Sequence, residues 1–453
     1  MKTYDLAIIG SGPGGYVAAL YASRHKLKTC VIEQDLIGGT CLNRGCIPTK
    51  SLLNSASILS IIKSASVHGI DVDGYRVNFA KMMARKDEVV LRLRTGIETL
   101  FRGNSIDLVK GRGVLAGPDT IDVEGSDPVK AEHIIIAAGS KIAHLPNLPI
   151  DEKDILSSDG ILNIKTIPRS IVVVGGGAVG SEFACLFSAL GSAVTVVELM
   201  DRLLPGQSRE ASKKLELIFK KYGINVITCA KVEAVAKSGS LAVTLSTGET
   251  ITCDKVLVSA GRVANTESLG LEKAGISVKD GKVSVDEYLR AAGTIYAIGD
   301  CVSGPQLAHK ASYDGMLACD NIKGPLRRAD YSAIPNCIWT DPEVASVGLT
   351  EEDAKAKYPD VKIAKFPYLA SGKAYLEGKT EGFVKITGTQ TGNILGVEIV
   401  GKDACNLIGE AAVAKVAGMK IQEWSRVVHG HPTLSEILQE AAHVFCGTPI
   451  HSV

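Results

Sequence analysis

Short apolar runs that stop at glycine punctuate this chain. Residues 4–9 run into Gly10-Ser11-Gly12-Pro13-Gly14-Gly15, and residues 170–174 run into Gly175-Gly176-Gly177-Ala178-Val179-Gly180. The runs at 133–138 and 294–298 stop at Gly139-Ser140 and at Gly299-Asp300. Apolar runs of this length, bounded by turn residues, predict buried strands. After each glycine cluster a small-residue helix follows, to residue 23 in the first copy and to residue 190 in the second. A further strand then ends in an acid, at Glu33 and at Glu198. The acid follows the first glycine by the same offset in both copies (33 − 10 = 23; 198 − 175 = 23). The pattern is therefore an internal repeat.

Elsewhere, residues 107–123 predict short β-structure. Pro146, Pro149 and Pro168 mark a connection into the second repeat. Residues 249–258, followed by Ser259-Ala260-Gly261-Arg262, close that repeat as 133–140 closes the first. From about residue 333 the texture changes. Strands near 384–386 and 394–399 precede helices at 406–417 and 433–446, which predicts an α+β terminal domain. The division expected is 1–142 with 263–332, 143–262, and 333–453. At 453 residues the chain is long for one core, which agrees with about three domains.

Each glycine cluster has the physical requirements of a dinucleotide site. Gly10 permits the tight turn, Gly12 lets backbone approach a pyrophosphate, and Gly15 allows the helix to pack close to the strand. The helix N-terminus then offers free N–H donors and a positive dipole end to phosphate. Glu33 and Glu198 are placed to accept from ribose hydroxyls. A carboxylate at Glu198 accepts from a free 2′-hydroxyl and repels a 2′-phosphate, which predicts NAD(H) over NADP(H) in the second site, although Arg202 lies close by.

Chemistry beyond binding enters at Gly39-Thr40-Cys41-Leu42-Asn43-Arg44-Gly45-Cys46-Ile47-Pro48-Thr49-Lys50. In a regular helix, residues five apart differ by a rise of about 7.5 Å and a turn of about 140°, so their Cα atoms lie about 8.6 Å apart. That exceeds the ~7 Å limit for a disulfide. If Cys41 and Cys46 bond, the segment between them is irregular; Gly45 and Pro48 supply the means. A helix starting near Cys46 puts Lys50 one turn along on the same face (50 − 46 = 4). A helix N-terminus and an ammonium both favour a thiolate at Cys46, leaving Cys41 free for exchange. Near the other end, His429-Gly430-His431-Pro432-Thr433-Leu434-Ser435-Glu436 is expected to open a helix with Pro432 in its first turn. Glu436 has two readings there: half of a capping box with Thr433, or a carboxylate that orients His431 and raises its basicity.

Composition narrows the classes. A net charge of +1 argues against a polyanion partner, and 5% aromatic residues leave little for stacking bases, so no nucleic-acid role is expected. The 11 cysteines are odd in number and scattered, unlike a secreted disulfide framework. No zinc-type CxxC pair occurs, and no metal site is expected. No run of ~18 uncharged apolar residues predicts a membrane span, and no cleavable signal is visible. A cytoplasmic location, or an organelle matrix after removal of a presequence, is expected.

The thiol segment, the His429–Glu436 segment, residues 294–300, Leu307-Ala308-His309-Lys310-Ala311 and Pro342-Glu343-Val344-Ala345-Ser346-Val347-Gly348-Leu349-Thr350 together resemble the pyridine nucleotide–disulfide oxidoreductases, over nearly the whole chain. Within that family the likeness is to members that oxidise dihydrolipoyl groups. The resemblance implies an α/β fold of two Rossmann-like domains, for FAD and NAD, with a C-terminal α+β dimerisation domain. It implies a redox disulfide between Cys41 and Cys46, and a Lys50–Glu182 ion pair beside the flavin. FAD would be held by Gly10, Gly12, Gly14, Gly15, Glu33, Thr40, Lys50, Gly113, Gly139, Ser140 and Asp300. Leu307, Ala308 and His309 would join them at a helix N-terminus aimed at the flavin. NAD would be held by Gly175, Gly177, Val179, Gly180, Glu198 and Gly261. The resemblance further implies a homodimer in which His431 and Glu436 serve the partner's thiols, and a lipoyl-bearing carrier protein as partner. An NADPH-dependent reductase of the glutathione reductase type is the nearest rival, and Glu198 disfavours it. One departure stands out: where the family commonly has an acidic pair after Ala311, Ser312-Tyr313-Asp314 keeps one acid.

Overall fold

The computed structural model describes residues 2–451. Two parallel sheets share one plan. In the first, strands Asp107–Lys110, Thr29–Glu33, Lys2–Ile9, Val129–Ile136 and Ile295–Ala297 lie side by side, all parallel. In the second the order is Asn225–Ile227, Ala193–Val197, Ser170–Val174, Lys255–Val258 and Ile155–Leu156, again all parallel. Each glycine cluster therefore leaves the carboxyl end of a central strand, where parallel α/β sheets bind their ligands. The apolar runs are buried on both faces: Leu6, Ala7 and Ile8 are fully covered, as are Val172 and Val173. Each sheet is covered by helices on one face and by antiparallel strands on the other, with Leu115, Ile121 and Val123 in the first unit and Leu241, Val243 and Leu245 in the second, which explains why these strands lack an apolar/polar alternation.

The chain leaves and re-enters the first unit at one place, where Ser140–Ile142 pairs antiparallel with Arg262–Ala264. The terminal domain is an antiparallel sheet of Asn336–Ile338, Glu343–Gly348, Ile394–Gly401, Phe383–Thr389 and Val361–Pro367. Helices Ala404–Val416 and Glu436–Cys446 pack on it. The Cys46–Ser64 helix is wedged where the units meet. Its Leu52 and Ala56 share one core with Phe183 and Phe187 of the Ala178–Ala189 helix and with Ile338, Val344 and Phe383. Burying one side chain of that size contributes about 1.5–3 kcal/mol, so the position of the thiol helix is strongly held. Among the described residues, no helix is long and apolar enough to cross a membrane.

One expectation needs correction, and one helix was not foreseen. The last helix begins at Glu436, not Thr433, so Pro432 lies outside it; the His431–Pro432 peptide is cis. The 25-residue helix Phe79–Gly103 gave no strong signal, because only Lys86, Val90, Ile97 and Phe101 are buried along it.

The single acid kept at Asp314 is fully buried, and so is Lys310 one turn earlier; their Nζ–Oδ2 distance is 2.7 Å. Asp314 also accepts from the Gly299 amide at 2.9 Å and from the Tyr331 hydroxyl at 2.9 Å. Lys310 donates back to the Gly299 carbonyl at 3.2 Å. The pair thus clamps the turn that carries Asp300. Asp314→Asn strands the lysine charge inside the protein and is expected to lower stability by about 3–5 kcal/mol, read as a fall in denaturant midpoint. A loss below about 1 kcal/mol would mean the clamp holds no buried charge.

Candidate active site

Both glycine clusters are shaped by the same contacts. Gly10 and Gly175 lie in the left-handed region, at φ +101° and +105°. A Cβ on Gly15 would sit 1.9 Å from the Gly10 carbonyl oxygen, and one on Gly180 1.9 Å from that of Gly175. Gly12 and Gly177 cap their helices with open space where a side chain would stand, and no side chain caps either helix. The exposed amides and the missing Cβ form a cradle for a pyrophosphate. The two acids also match. Glu33 accepts from the Ser11 amide at 2.8 Å, and Glu198 from the Gly176 amide at 2.5 Å. Glu198 is buried, and its other oxygen accepts from Met200 at 2.7 Å. Arg202 is spent on Asp201 and on the Pro205 carbonyl.

Gly45 breaks what would be one helix into Gly39–Arg44 and Cys46–Ser64. Its dihedrals (φ −137°, ψ −113°) are not helical, and a Cβ there would meet the Thr40 carbonyl oxygen at 3.0 Å. The spacing argument required this irregularity. It brings the two sulfurs together although they lie on different helices, and both are thiols in this structure. The Cys41 thiol donates to Cys46, which lowers the Cys46 pKa; burial opposes this, and the Lys50 ammonium adds to the lowering, to about 7. The same hydrogen bond and burial push Cys41 far above the ordinary thiol range. Lys50 Nζ lies 2.8 and 2.7 Å from the two oxygens of buried Glu182, which also accepts from the Trp339 amide at 3.0 Å.

These groups line one cavity of about 700 Å³, within the range of ligand pockets. It holds Gly10, Gly12, Gly14, Glu33, Thr40, Cys41, Cys46, Lys50, Gly113, Gly139, Ser140, Asp300 and Ala308. From the second repeat come Val179, Glu182 and Gly261. Gly15, Leu307 and His309 are not on its wall, and neither are Gly175, Gly177, Gly180 and Glu198. Gly15 and Gly180 serve packing instead. His309 Nε2 lies 2.7 Å from the Pro335 carbonyl, so its ring ties the helix to the terminal domain. Ser140 donates to Asp300 at 2.6 Å and accepts from Arg262 at 2.8 Å. Arg262 and Trp339 were missed as site residues. The turn after residue 258 signalled Arg262, but its reach across the cavity depends on the strand pair at 140–142 and 262–264. Trp339 acts through its backbone, which sequence does not mark.

His431 is not brought to Cys41 within one chain. Its side chain is 80% exposed, with Nδ1 2.8 Å from Glu436 Oε1. Burial pushes the Glu436 carboxyl up, but the Thr433 amide, at 2.7 Å, and His431 outweigh it and hold it below the usual range. Both readings of Glu436 therefore coexist, one oxygen to each partner. His429 is the inward-facing histidine, bonded to Glu410, which also accepts from Trp424.

A family model for pyridine nucleotide-disulphide oxidoreductases matches residues 4–315, and its dimerisation domain matches 334–442. The chain belongs to the pyridine nucleotide-disulphide oxidoreductases. Similar members of that family include the dihydrolipoyl dehydrogenase of Bacillus subtilis, 42% identical over 99% of both chains. The mitochondrial dihydrolipoyl dehydrogenase of Pisum sativum is 41% identical over 99% of this chain and 92% of its own. Among solved structures, LpdA of Mycobacterium tuberculosis has a TM-score of 0.91 at 28% identity, covering 98% of this chain and 99% of its own. The HOCl-induced flavoprotein disulfide reductase RclA of Escherichia coli has a TM-score of 0.89 at 28% identity, covering 97% of this chain and all of its own. Membership brings FAD and NAD(H) as cofactors and a homodimer as the assembly.

Proposed function

We propose that this oxidoreductase is a dihydrolipoyl dehydrogenase, which oxidises dihydrolipoyl groups and delivers the electrons to NAD⁺. The observation that carries this reading is the thiol pair split over two helices, with Cys46 at a helix N-terminus beside the Lys50–Glu182 pair, in the cavity that the Gly10 cluster opens. FAD fits the Gly10 cradle, with Ser140, Asp300 and the N-terminus of helix Ala308–Lys323 around it; NAD(H) fits the Gly175 cluster. When bound, FAD supplies a two-electron relay between the sulfurs and the nicotinamide. The chain divides as 1–142 with 263–332 for FAD, 143–262 for NAD(H), and 333–453 for dimer contact.

The partner subunit's His431, oriented by Glu436, takes a proton from the substrate dithiol. The substrate thiolate attacks Cys41 of the Cys41–Cys46 disulfide, and Cys46 leaves. A thiol of low pKa leaves faster, which is the use of the Lys50 charge and the Cys41 hydrogen bond. The second substrate thiol then displaces Cys41 and closes the lipoyl ring. The natural substrate arm is carried by a lipoyl-bearing protein in a reducing compartment, cytoplasm or organelle matrix.

Anaerobic titration of the yellow protein with dihydrolipoamide, followed by absorbance, tests this. A long-wavelength band from the Cys46 thiolate against the flavin is expected, removed again by NAD⁺. The deprotonated form grows as pH rises, so the band is expected to develop with a midpoint near pH 7. No spectral response to dihydrolipoamide overturns the reading. The buried Glu198 sets the second expectation: kcat/KM for NADH exceeds that for NADPH by at least about tenfold, or ~1.4 kcal/mol. Equal values would remove the specificity role of Glu198.

A further inference from the structure

A second pair of thiols lies outside the cavity. Cys337 is on the first strand of the terminal sheet, Asn336–Ile338, and Cys405 is in the first turn of helix Ala404–Val416. Their contacts are reciprocal. Cys337 Sγ lies 3.7 Å from the Cys405 carbonyl oxygen, and Cys405 Sγ lies 3.7 Å from the Ile338 carbonyl oxygen. Each sulfur thus lies against the backbone of the element that carries the other, Cys337 on the helix and Cys405 on the strand. Both positions are fixed independently. Cys337 is held in register opposite Ala345, and the Cys405 amide donates to Glu343 at 2.8 Å. Neither thiol is fully covered.

The two thiols are also polarised. The neighbouring Cys405 thiol lowers the Cys337 pKa; burial and Glu343 oppose this, and Lys50 adds to the lowering. Cys405 is pushed far up by the adjacent Cys337 sulfur and by burial. One thiol is therefore prepared as an attacking sulfur and its neighbour as the resolving one. This repeats the asymmetry of Cys46 and Cys41, near the same ammonium. Directly after the strand that carries Cys337 comes Trp339, whose amide holds Glu182 against Lys50.

We propose that Cys337 and Cys405 form a second redox-active dithiol, which closes to a disulfide by exchange with a small-molecule disulfide. The Cys337 thiolate attacks one sulfur of the oxidant, giving a mixed disulfide and releasing one thiolate. Cys405, losing its proton to solvent, attacks the Cys337 sulfur, closes the bridge and releases the second thiolate. One oxidant disulfide is reduced to two thiols for each bridge formed. The bridge fastens the strand behind Glu182 to the adjacent helix.

Trypsin separates the two cysteines, into peptides 329–355 and 403–415, so mapping reads the bond directly. The reduced holoenzyme is equilibrated with graded ratios of oxidised to reduced glutathione, blocked with N-ethylmaleimide under acid quench, and digested without reduction. The expected result is a linked 329–355/403–415 pair that rises with the oxidant ratio and disappears on reduction. In Cys405→Ser it is replaced by glutathione on Cys337. The Cys41–Cys46 pair is read in the same digest, so failure there is distinguishable from failure here. If 337 and 405 both carry only N-ethylmaleimide at ratios that oxidise 41 and 46, the proposal is overturned. Glutathione on Cys337 without the link in the wild type overturns it equally. As a readout without variants, oxidation that forms the link is expected to raise the denaturant midpoint, because the bridge closes a loop of 68 residues.

Discussion

Cys41→Ser is expected to abolish turnover of dihydrolipoamide, by at least about 10³-fold or ~4 kcal/mol of transition-state free energy, while the protein stays folded and yellow. Cys41 is half-buried at the cavity wall and packs no core, so serine fits its place. What serine cannot do is form the mixed disulfide, and exchange has no alternative sulfur within reach except Cys46. Cys46 is an unsuitable target for attack, because its low pKa makes it the better leaving group. Steady-state turnover with the flavin spectrum as a folding control decides the matter. Turnover above about a tenth of wild type would return Cys41 to a structural role. Cys46→Ser separates the two sulfurs further, since it is expected to remove the long-wavelength band itself.

His431→Gln is expected to slow the thiol half-reaction by roughly 10²–10⁴, with flavin binding unchanged. The side chain is exposed and its ring bonds Glu436, so the substitution removes a base without opening a core. A loss under tenfold would reduce His431 to a surface residue. Because one chain holds His431 away from its own thiols, the defect should be complemented across the dimer. Co-refolding inactive Cys41→Ser with inactive His431→Gln makes mixed dimers in half of the pairs by random assortment. Each of these has one intact site out of two, so about a quarter of wild-type activity should return. No recovery would place both groups of each site on one chain.

The apolar runs and glycine offsets carried the central strands of the two parallel sheets, because a buried strand and a tight turn leave little freedom in residue choice; the short outer strands Asn225–Ile227 and Ile155–Leu156 left no such run. The thiol site was legible for the same reason: Gly45 has to break a helix if Cys41 and Cys46 are to meet. Other parts were hidden by geometry that no spacing encodes. The Phe79–Gly103 helix is mostly solvated, so its apolar stripe is thin. Arg262 reaches Ser140 through a strand pair over 100 residues apart in sequence. Trp339 contributes a backbone amide, and any residue but proline would supply one. The start of the last helix was misplaced because Thr433 makes half of a capping contact, Thr433 N to Glu436, without beginning the helix there. The lost acid after Ala311 proved informative only once Lys310 was seen to be buried against the remaining one.

The glycine at 45 has a mechanical consequence. A sulfur pair carried on one unbroken helix would travel as a rigid body, indifferent to movements around it. Here each sulfur rides a separate lever, and the longer lever is anchored in the seam shared by the nucleotide and terminal units. Any sliding of that seam is transmitted as a change of gap between the sulfurs. The gap between the sulfurs is therefore set by where the two levers are held, with the residue at 45 as the corner between them.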